Sequence, residues 1–103
     1  MSFPMQDGLP PIHPGELLKD DLEALGISAR KFAAHIGVPP NAVTAILNGQ
    51  RAITGQMALR IGKAFDMDPM YWLRLQARYE AKLAEQNADP AIHEIPKLPG
   101  VAA

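Results

Sequence analysis

Cysteine is absent from all 103 residues of the chain. Its absence excludes disulfide bridges, thiolate nucleophiles and zinc sites built from cysteine. It also agrees with a reducing cytoplasm, where we expect the protein to be located. No apolar run approaches the ~18 residues that a membrane-spanning helix needs. The first residues, MSFPMQDGLPPIH, lack the basic start and the apolar stretch of a signal peptide, so we expect neither a membrane span nor a secretion signal.

The patterns that catalysis and metal binding require are also missing. His13, His35 and His93 are scattered, and no two of them have the i, i+4 spacing of a zinc-binding helix. There is no glycine-rich phosphate loop and no serine-nucleophile motif. The acidic pair Asp20 and Asp21 is typical of a solvated helix face. We therefore predict that the protein is not an enzyme and uses no metal, cofactor or small-molecule substrate.

Acidic residues are absent from one third of the chain, residues 28–63, although 11 of them occur elsewhere. This segment carries a formal charge of +5, so the rest, with the other 5 basic and all 11 acidic residues, carries −6. Its basic residues are Arg30, Lys31, Arg51, Arg60 and Lys63. The net charge of −1 argues against nucleic acid, but the asymmetry favours one basic face that could bind it. A helix pair that lacks acids by chance is the alternative.

Five short helices are predicted from the start and stop signals along the chain. Pro14, Pro40 and Pro69 each suit the first turn of a helix, because the N–H that proline lacks would have no helical partner there. Glycine after an apolar stripe, as at Gly26 and Gly37, predicts a helix end. The predicted helices span residues 14–25, 28–36, 39–48, 54–65 and 69–86, and no strand pattern is present.

These helices define one all-α domain over residues 13–86. Residues 1–12 contain proline and glycine without periodicity, which predicts a flexible N-terminal arm. Residues 87–103, NADPAIHEIPKLPGVAA, contain three prolines and one glycine. We expect them to form a flexible, extended C-terminal tail without helix.

The second and third predicted helices have the properties of a helix-turn-helix. Gly37 supplies the left-handed stop, and Pro39 forces Val38 into an extended conformation. Pro40 then fits the first turn of the next helix, so the two helices meet at a sharp corner. Ala33 is small enough for a close helix crossing. An ordinary helical hairpin with a polar outer face is the alternative.

The outer face of the third helix is the candidate for reading DNA bases. Val43 and Ile46 are predicted to point inward, which turns small polar side chains outward. Asn41 and Thr44 are the first choices, because asparagine can pair with adenine and threonine can hydrogen-bond or touch a thymine methyl group. Asn48 is a weaker choice, since it could equally cap the helix end.

Phosphate contacts are predicted around this helix. Arg51 in the following loop should reach the DNA backbone, and Arg30 and Lys31 should do so from the start of the second helix. Backbone amides around Ser28 and Thr54, each at a helix N-terminus, can also donate to phosphate oxygens. A plain solvated surface is the alternative for each side chain.

A dimer is expected because one such domain makes too few DNA contacts for a tight complex. The fifth helix is the predicted interface, since its apolar residues exceed what one small core needs. The predicted interface residues are Trp72, Leu75, Tyr79 and Leu83, although Trp72 could equally belong to the core of one subunit.

The stretch LGISARKFAAHIGVPPNAVTAILNGQRAIT resembles the helix-turn-helix of the Xre/Cro family. The blocks HPGE, NGQRAIT, MALRIGKAF and YWLRLQ are similar to those of the HigA antitoxin group, with a likeness over residues 12–83. The resemblance implies a five-helix, lambda-repressor-like fold. It also implies a homodimeric antitoxin that binds its own double-stranded operator DNA and neutralises a HigB-type toxin, a RelE-like mRNA interferase. A stand-alone Xre-family regulator and a helical module that binds only protein are the alternatives.

Three positions depart from the family pattern. Ala29 stands where a phosphate-touching glutamine is common, Pro39 where a serine often caps the third helix, and Pro40 where a basic residue often follows. We therefore expect weaker electrostatic binding to DNA than for a typical member.

The predicted tail carries branched apolar residues among its prolines. Ile92, Ile95 and Leu98 suit a segment that becomes ordered on a partner, and the resemblance makes the toxin the expected partner. A tail that contacts nothing is the alternative. The first helix and the N-terminal arm are further candidates for toxin binding.

Overall fold

Six helices lie within residues 9–102, the part of the chain that this computed structural model describes. They are α1 (Pro14–Leu25), α2 (Ala29–Ile36), α3 (Pro40–Leu47), α4 (Gly55–Phe65), α5 (Pro69–Gln86) and α6 (Pro90–His93). These residues contain no strand, and the predicted all-α class is confirmed.

Local capping fixes the ends of these helices. The Ser28 hydroxyl oxygen accepts the N–H of Lys31 at 3.1 Å, and that of Thr54 accepts the N–H of Met57 at 3.3 Å. Gly37 ends α2 with a φ of 74°, a left-handed conformation that glycine adopts without a steric penalty. Each of the five predicted helices is present, with its ends within one residue of the predicted ones.

The core is formed by one buried apolar cluster to which α1 to α5 all contribute. Its members are Leu18, Leu22, Phe32, Ala33, Ile36, Val43, Ile46, Ile53, Ala58, Ile61 and Trp72. The rings of Phe32 and Phe65 lie 5.7 Å apart, and those of Phe65 and Trp72 lie 6.2 Å apart. Burial of such side chains stabilises the fold by about 1.5–3 kcal/mol each before conformational entropy is subtracted.

Two apolar residues differ in burial from their predicted place. Trp72 has no exposed surface, because it packs beside Phe65 inside the subunit. The prediction of Trp72 as a dimer-interface residue is therefore wrong. Leu25 is the last residue of the apolar stripe that precedes Gly26, and such a stripe predicts burial. Leu25 is nevertheless 59% exposed, at the last turn of α1.

The helices pack in a fixed order around this core. α2 and α3 form one close pair and α4 and α5 form another, while α1 packs against both α3 and α5. The corner between α4 and α5 is tight, because a Cβ on Gly62 would lie 2.8 Å from the Met67 carbonyl oxygen. α3 packs against α1 and α2, and its residues Asn41, Thr44 and Asn48 stay exposed.

The described part of the N-terminal arm lies against α5. Residues 9–13 precede α1 without helix, and the Lys82 ammonium group donates to the Leu9 carbonyl oxygen at 3.5 Å. The predicted flexibility of residues 1–8 concerns positions outside the described residues.

The predicted absence of helix from the C-terminal tail is wrong over four residues, Pro90–His93, which form α6. The Asp89 side chain caps this turn by accepting the N–H of Ala91 at 2.9 Å, and Pro90 occupies its first position. The same aspartate-proline signal starts α5 at Asp68. From Ile92 to Gly100 every residue is exposed.

Candidate nucleic-acid interface

α3 presents a polar face to solvent and an apolar face to the core. Asn41, Thr44 and Asn48 are all exposed, whereas Val43 and Ile46 are each 1% exposed. The two sets alternate with the helical period, so the three polar side chains lie on the outer side. Ala45, between them, is partly exposed and adds little bulk, so this face can approach a base edge closely.

The Thr44 hydroxyl proton is already donated within α3. Its hydroxyl donates to the Pro40 carbonyl oxygen at 2.8 Å, one turn earlier in α3. The oxygen lone pairs and the methyl group remain outward. Thr44 can therefore accept a hydrogen bond from a base amine or contact a thymine methyl group.

Asn48 is the C-cap of α3 and lies just beyond its last helical residue. Gly49 follows with a φ of 75°, and this left-handed turn brings the chain back over the helix end. The N–H groups of Gln50 and Arg51 then both donate to the Ala45 carbonyl oxygen, at 2.8 and 3.2 Å. The start of the α3–α4 loop is thus fixed to α3.

The predicted phosphate-contacting residues are all at least partly exposed. Ser28 and Thr54 use their hydroxyl oxygens as N-cap acceptors, which leaves each hydroxyl proton free to be donated outward. Both stand at helix N-termini, where the helix dipole attracts anions. Arg30, Lys31 and Arg51 are surface cations in the same acid-free segment.

Arg60 has a structural partner that sequence analysis missed. Its guanidinium donates to the Ile36 carbonyl oxygen at 2.6 Å, across 24 residues of chain. The same nitrogen would lie 3.3 Å from a Cβ at Gly37. Arg60 therefore caps the C-terminus of α2, where its charge complements the helix dipole. The exposed Lys63, one turn later on α4, remains a surface cation.

His13 holds the start of α1 against the α3–α4 loop. Its Nδ1 accepts the N–H of Gly15 at 2.9 Å, and its ring packs edge-on against Tyr79 with 4.9 Å between centroids. Burial lowers the pKa of His13, while a hydrogen bond to the Arg51 backbone and the charge of Glu16 act in the opposite direction. The neutral ring is the form that can accept from Gly15.

A second side chain holds the far end of this loop. The Gln76 carbonyl oxygen, on α5, accepts the N–H of Ile53 at 2.9 Å, and Gln76 is only 6% exposed. One signal in the sequence could have indicated this role. Gln76 lies one turn after Trp72, so it is a polar residue on the core side of the helix, where a hydrogen-bond partner is required.

The remaining predicted interface residues lie on the outer part of α5. Leu75 and Tyr79 are partly exposed and line a groove of about 140 Å³ together with the arm residues Leu9 and Ile12. Leu83, nearer the end of α5, is 39% exposed. Trp72 and Gln76 are buried on the core-facing side of this helix, whereas Lys82 is buried beside the arm and lines the same groove as Leu75 and Tyr79.

Neither a metal cluster nor a membrane span is found in the described part of the chain. No three His, Asp or Glu side chains among residues 9–102 come together as metal ligands. None of the helices in this range is long and apolar enough to cross a membrane.

Comparison with known proteins agrees with this arrangement. The helix-turn-helix family model matches residues 18–72. Virulence-associated protein A' of Dichelobacter nodosus is 44% identical over 81 residues, which cover 77% of this chain and 70% of that protein. A solved HigA-family addiction module antidote protein from Coxiella burnetii is 43% identical, with a TM-score of 0.83 over 87% of this chain and 99% of that chain.

A further solved relative was crystallised with DNA. PA4674 from Pseudomonas aeruginosa, in complex with its operator DNA, is 38% identical with a TM-score of 0.82, over 88% of this chain and 100% of that chain. The chain belongs to the Xre-type helix-turn-helix family. Within that family it is a member of the HigA-type antitoxin group, and it is not an enzyme.

Proposed function

We propose that this protein binds its own operator DNA, with α3 in the major groove. The exposed row of Asn41, Thr44 and Asn48, in a segment without acidic residues, is the observation that carries the proposal. A relative that shares the fold at 38% identity was crystallised with operator DNA. Binding at the operator of its own gene makes the protein an autorepressor.

Base recognition is assigned to Asn41 and Thr44. The Asn41 carboxamide can pair with both N6 and N7 of adenine, and Thr44 offers an acceptor oxygen and a methyl group. Asn48, at the C-cap of α3, reaches a base edge or phosphate from the end of the helix. These contacts supply sequence preference, not most of the affinity.

Phosphate binding is assigned to Arg30, Lys31 and Arg51, together with the helix starts at Ser28 and Thr54. Because Ala29, Pro39 and Pro40 offer neither charge nor a side-chain hydrogen bond, this set is smaller than in a typical member. We expect a correspondingly weaker dependence of binding on salt.

The binding unit is proposed to be a homodimer formed through α5. Leu75, Tyr79 and Leu83 provide its apolar contacts, since all three retain exposed surface in the single subunit. A two-fold axis would place two α3 helices about 34 Å apart, one helical turn of DNA. Sedimentation at micromolar concentration tests this assembly: a dimer is expected, and a monomer for Leu83→Asp. A monomeric wild type would contradict it.

The partner of the C-terminal tail is proposed to be a HigB-type toxin, an mRNA interferase of the RelE-like kind, whose RNA cleavage the antitoxin suppresses. Ile92, Ile95 and Leu98 are 43%, 63% and 74% exposed, so they are available to a partner. Operator DNA and messenger RNA are both cytoplasmic in bacteria, and we expect the protein to act there.

The DNA assignment is tested by gel shift with the duplex immediately upstream of the chain's own reading frame. Replacing Asn41 by alanine should cost about 1–3 kcal/mol of binding free energy and relax the choice of base at one position. Gln86→Ala, a change of an exposed amide side chain at the end of α5 and outside the acid-free segment, is the matched control and should leave binding unchanged. An Asn41→Ala protein with full base preference would refute the base-reading role.

The toxin assignment is tested by co-expression with the neighbouring reading frame. The full chain should restore growth, and a chain without residues 88–103 should not. Restoration by the shortened chain would move the toxin contact to α1 or the N-terminal arm. A neighbouring product that neither harms growth nor co-purifies would leave the protein as a stand-alone Xre-family regulator.

A further inference from the structure

Gln76 connects α5 to the α3–α4 loop through a buried hydrogen bond. Its carbonyl oxygen accepts the Ile53 N–H at 2.9 Å, and the two residues are 23 positions apart in the chain. Both partners are shielded from solvent, as Gln76 is 6% exposed and Ile53 is 2% exposed. Water competes poorly at such a site, so the bond holds the loop in one place.

The residues on either side of Ile53 are the ones proposed to meet phosphate. Arg51 lies two positions before it, and Thr54, the N-cap of α4, directly follows. At its other end the loop is fixed by the bond between the Arg51 N–H and the Ala45 carbonyl oxygen. The loop is therefore attached to α3 at one end and to α5 at the other.

We propose that Gln76 is a positioning residue for operator binding, which fixes the loop of residues 50–54 on α5 and so aligns Arg51 and Thr54 with the DNA backbone. The proposal rests on the operator binding proposed above. Gln76 itself touches no DNA in this arrangement, because it is buried on the core side of α5.

A second contact ties the same helix to the same loop. The Tyr79 ring, one turn after Gln76, packs on His13, and the His13 ring lies beside Gly49 in the same loop, 3.8 Å from where a Cβ on Gly49 would be. Because Leu75 and Tyr79 also belong to the proposed dimer face, the helix that pairs two subunits is the helix that holds the loop.

The test is a double-mutant cycle between Gln76→Met and Arg51→Ala, read out as the salt dependence of binding to the upstream duplex. Methionine keeps the length of glutamine but cannot accept strongly from the Ile53 N–H. Gln76→Met should weaken binding about tenfold and lower the slope of log K against log salt by about 0.9 for each phosphate that the variant no longer neutralises. Adding Arg51→Ala to Gln76→Met should then change the affinity and the salt slope only slightly.

Ile61→Val is the stability control, because Ile61 is fully buried on α4 and its side chain takes no part in the hydrogen bonds that fix the loop. It should lower the melting temperature and leave the salt slope unchanged. Gln76→Met could instead lower only the melting temperature, as Ile61→Val does, and Arg51→Ala could lower the affinity equally in both backgrounds. Gln76 would then only stabilise the fold, and the proposal would be wrong. If the wild type binds upstream and random duplexes alike, operator binding has failed instead.

A second measurement needs no change at Gln76. Hydrogen exchange of the Ile53 amide should be slow in the free wild-type protein and slower still with the upstream duplex. In Arg51→Ala the duplex should add less protection to this amide than in the wild type when both proteins are saturated with DNA. An Ile53 amide that exchanges at one rate with and without DNA in the wild type would contradict the proposed role of this loop in binding, and with it the positioning role of Gln76.

Discussion

Gly15 lies directly against the carbonyl oxygen of Ile46, so that a Cβ on Gly15 would collide with it. The start of α1 therefore packs on the last turn of α3, the proposed recognition helix. Alanine in a helix is usually more stabilising than glycine by about 0.5–1 kcal/mol. Here the collision is with backbone, which cannot move aside, and overpacking of this kind costs about 1–3 kcal/mol.

We expect Gly15→Ala to lower the free energy of unfolding by about 1–2 kcal/mol, since the collision outweighs helix propensity. Urea unfolding measures this change. Gly55→Ala is the matched control, because Gly55 also begins a helix but a Cβ there would meet nothing within 4 Å. Equal stability of the two variants would show that the contact with Ile46 is not tight.

His13 should make stability depend on pH. Burial is the largest influence on its pKa and lowers it below the ordinary value of 6.5, whereas its contacts with the Arg51 backbone and Glu16 oppose this less strongly. Between the folded and unfolded pKa values the unfolded chain binds more protons, so stability rises with pH there. The contribution of the neutral ring is complete above about pH 6.5 and declines as the pH falls through the folded-state pKa.

Unfolding by urea at about pH 7.5 and 5.5 checks this expectation in the wild type and in His13→Asn. Asparagine is a good N-cap and does not titrate in this range. The wild type should lose more stability on acidification than the variant, since His35 and His93 are common to both. An equal loss in both proteins would contradict a buried neutral His13.

The hydrogen bond by which Arg60 caps α2 should contribute to the stability of the fold. Arg60→Met keeps the aliphatic stem but removes the donor to the Ile36 carbonyl oxygen. We expect a loss of about 1 kcal/mol in the free energy of unfolding, the net value of one hydrogen bond at a partly exposed site. Lys63→Met, on the same helix, should change stability by less than about 0.5 kcal/mol. Thermal melts of the two variants would be indistinguishable if the cap were unimportant.

Local signals in the sequence were sufficient to place the helices. Pro14 and the Thr54 cap act within one turn of chain, and so their effect does not depend on the rest of the fold. The Asp89–Pro90 start of α6 is the same kind of signal, but Pro96 and Pro99 follow it closely, and a proline-rich segment indicates an absence of helix. The exposed polar positions on α3 could also be predicted from the sequence, because they lie opposite the apolar residues Val43 and Ile46.

Contacts between residues far apart in the chain could not be predicted from such local signals. Arg60 meets Ile36 and Gln76 meets Ile53 only because α4 and α5 fold back onto the helix-turn-helix, and no local pattern specifies such a pair. Trp72 shows the same limit. Its spacing fits a stripe on α5, but whether that stripe faces a partner or the subunit's own core depends on how far the helix is rotated about its axis.

Arg51 should contribute affinity without sequence preference. Its replacement by alanine is expected to weaken binding to upstream and random duplexes alike, and to reduce the salt slope by about 0.9, the value for one phosphate left without its cation. Lys19→Ala, an exposed change on α1 outside the acid-free segment, is the control and should leave the slope unchanged. Fluorescence anisotropy over a salt series measures both. A slope unaltered by Arg51→Ala would remove this residue from the interface.

The exposed row of polar residues on α3 is central to this account, and the most direct measurement is the wild-type affinity for two duplexes. One carries the DNA immediately upstream of the reading frame, and the other has the same length and base composition in random order. At about 0.15 M salt we predict a preference of at least about 10³-fold for the upstream duplex. Equal affinity for the two would contradict operator recognition by Asn41 and Thr44.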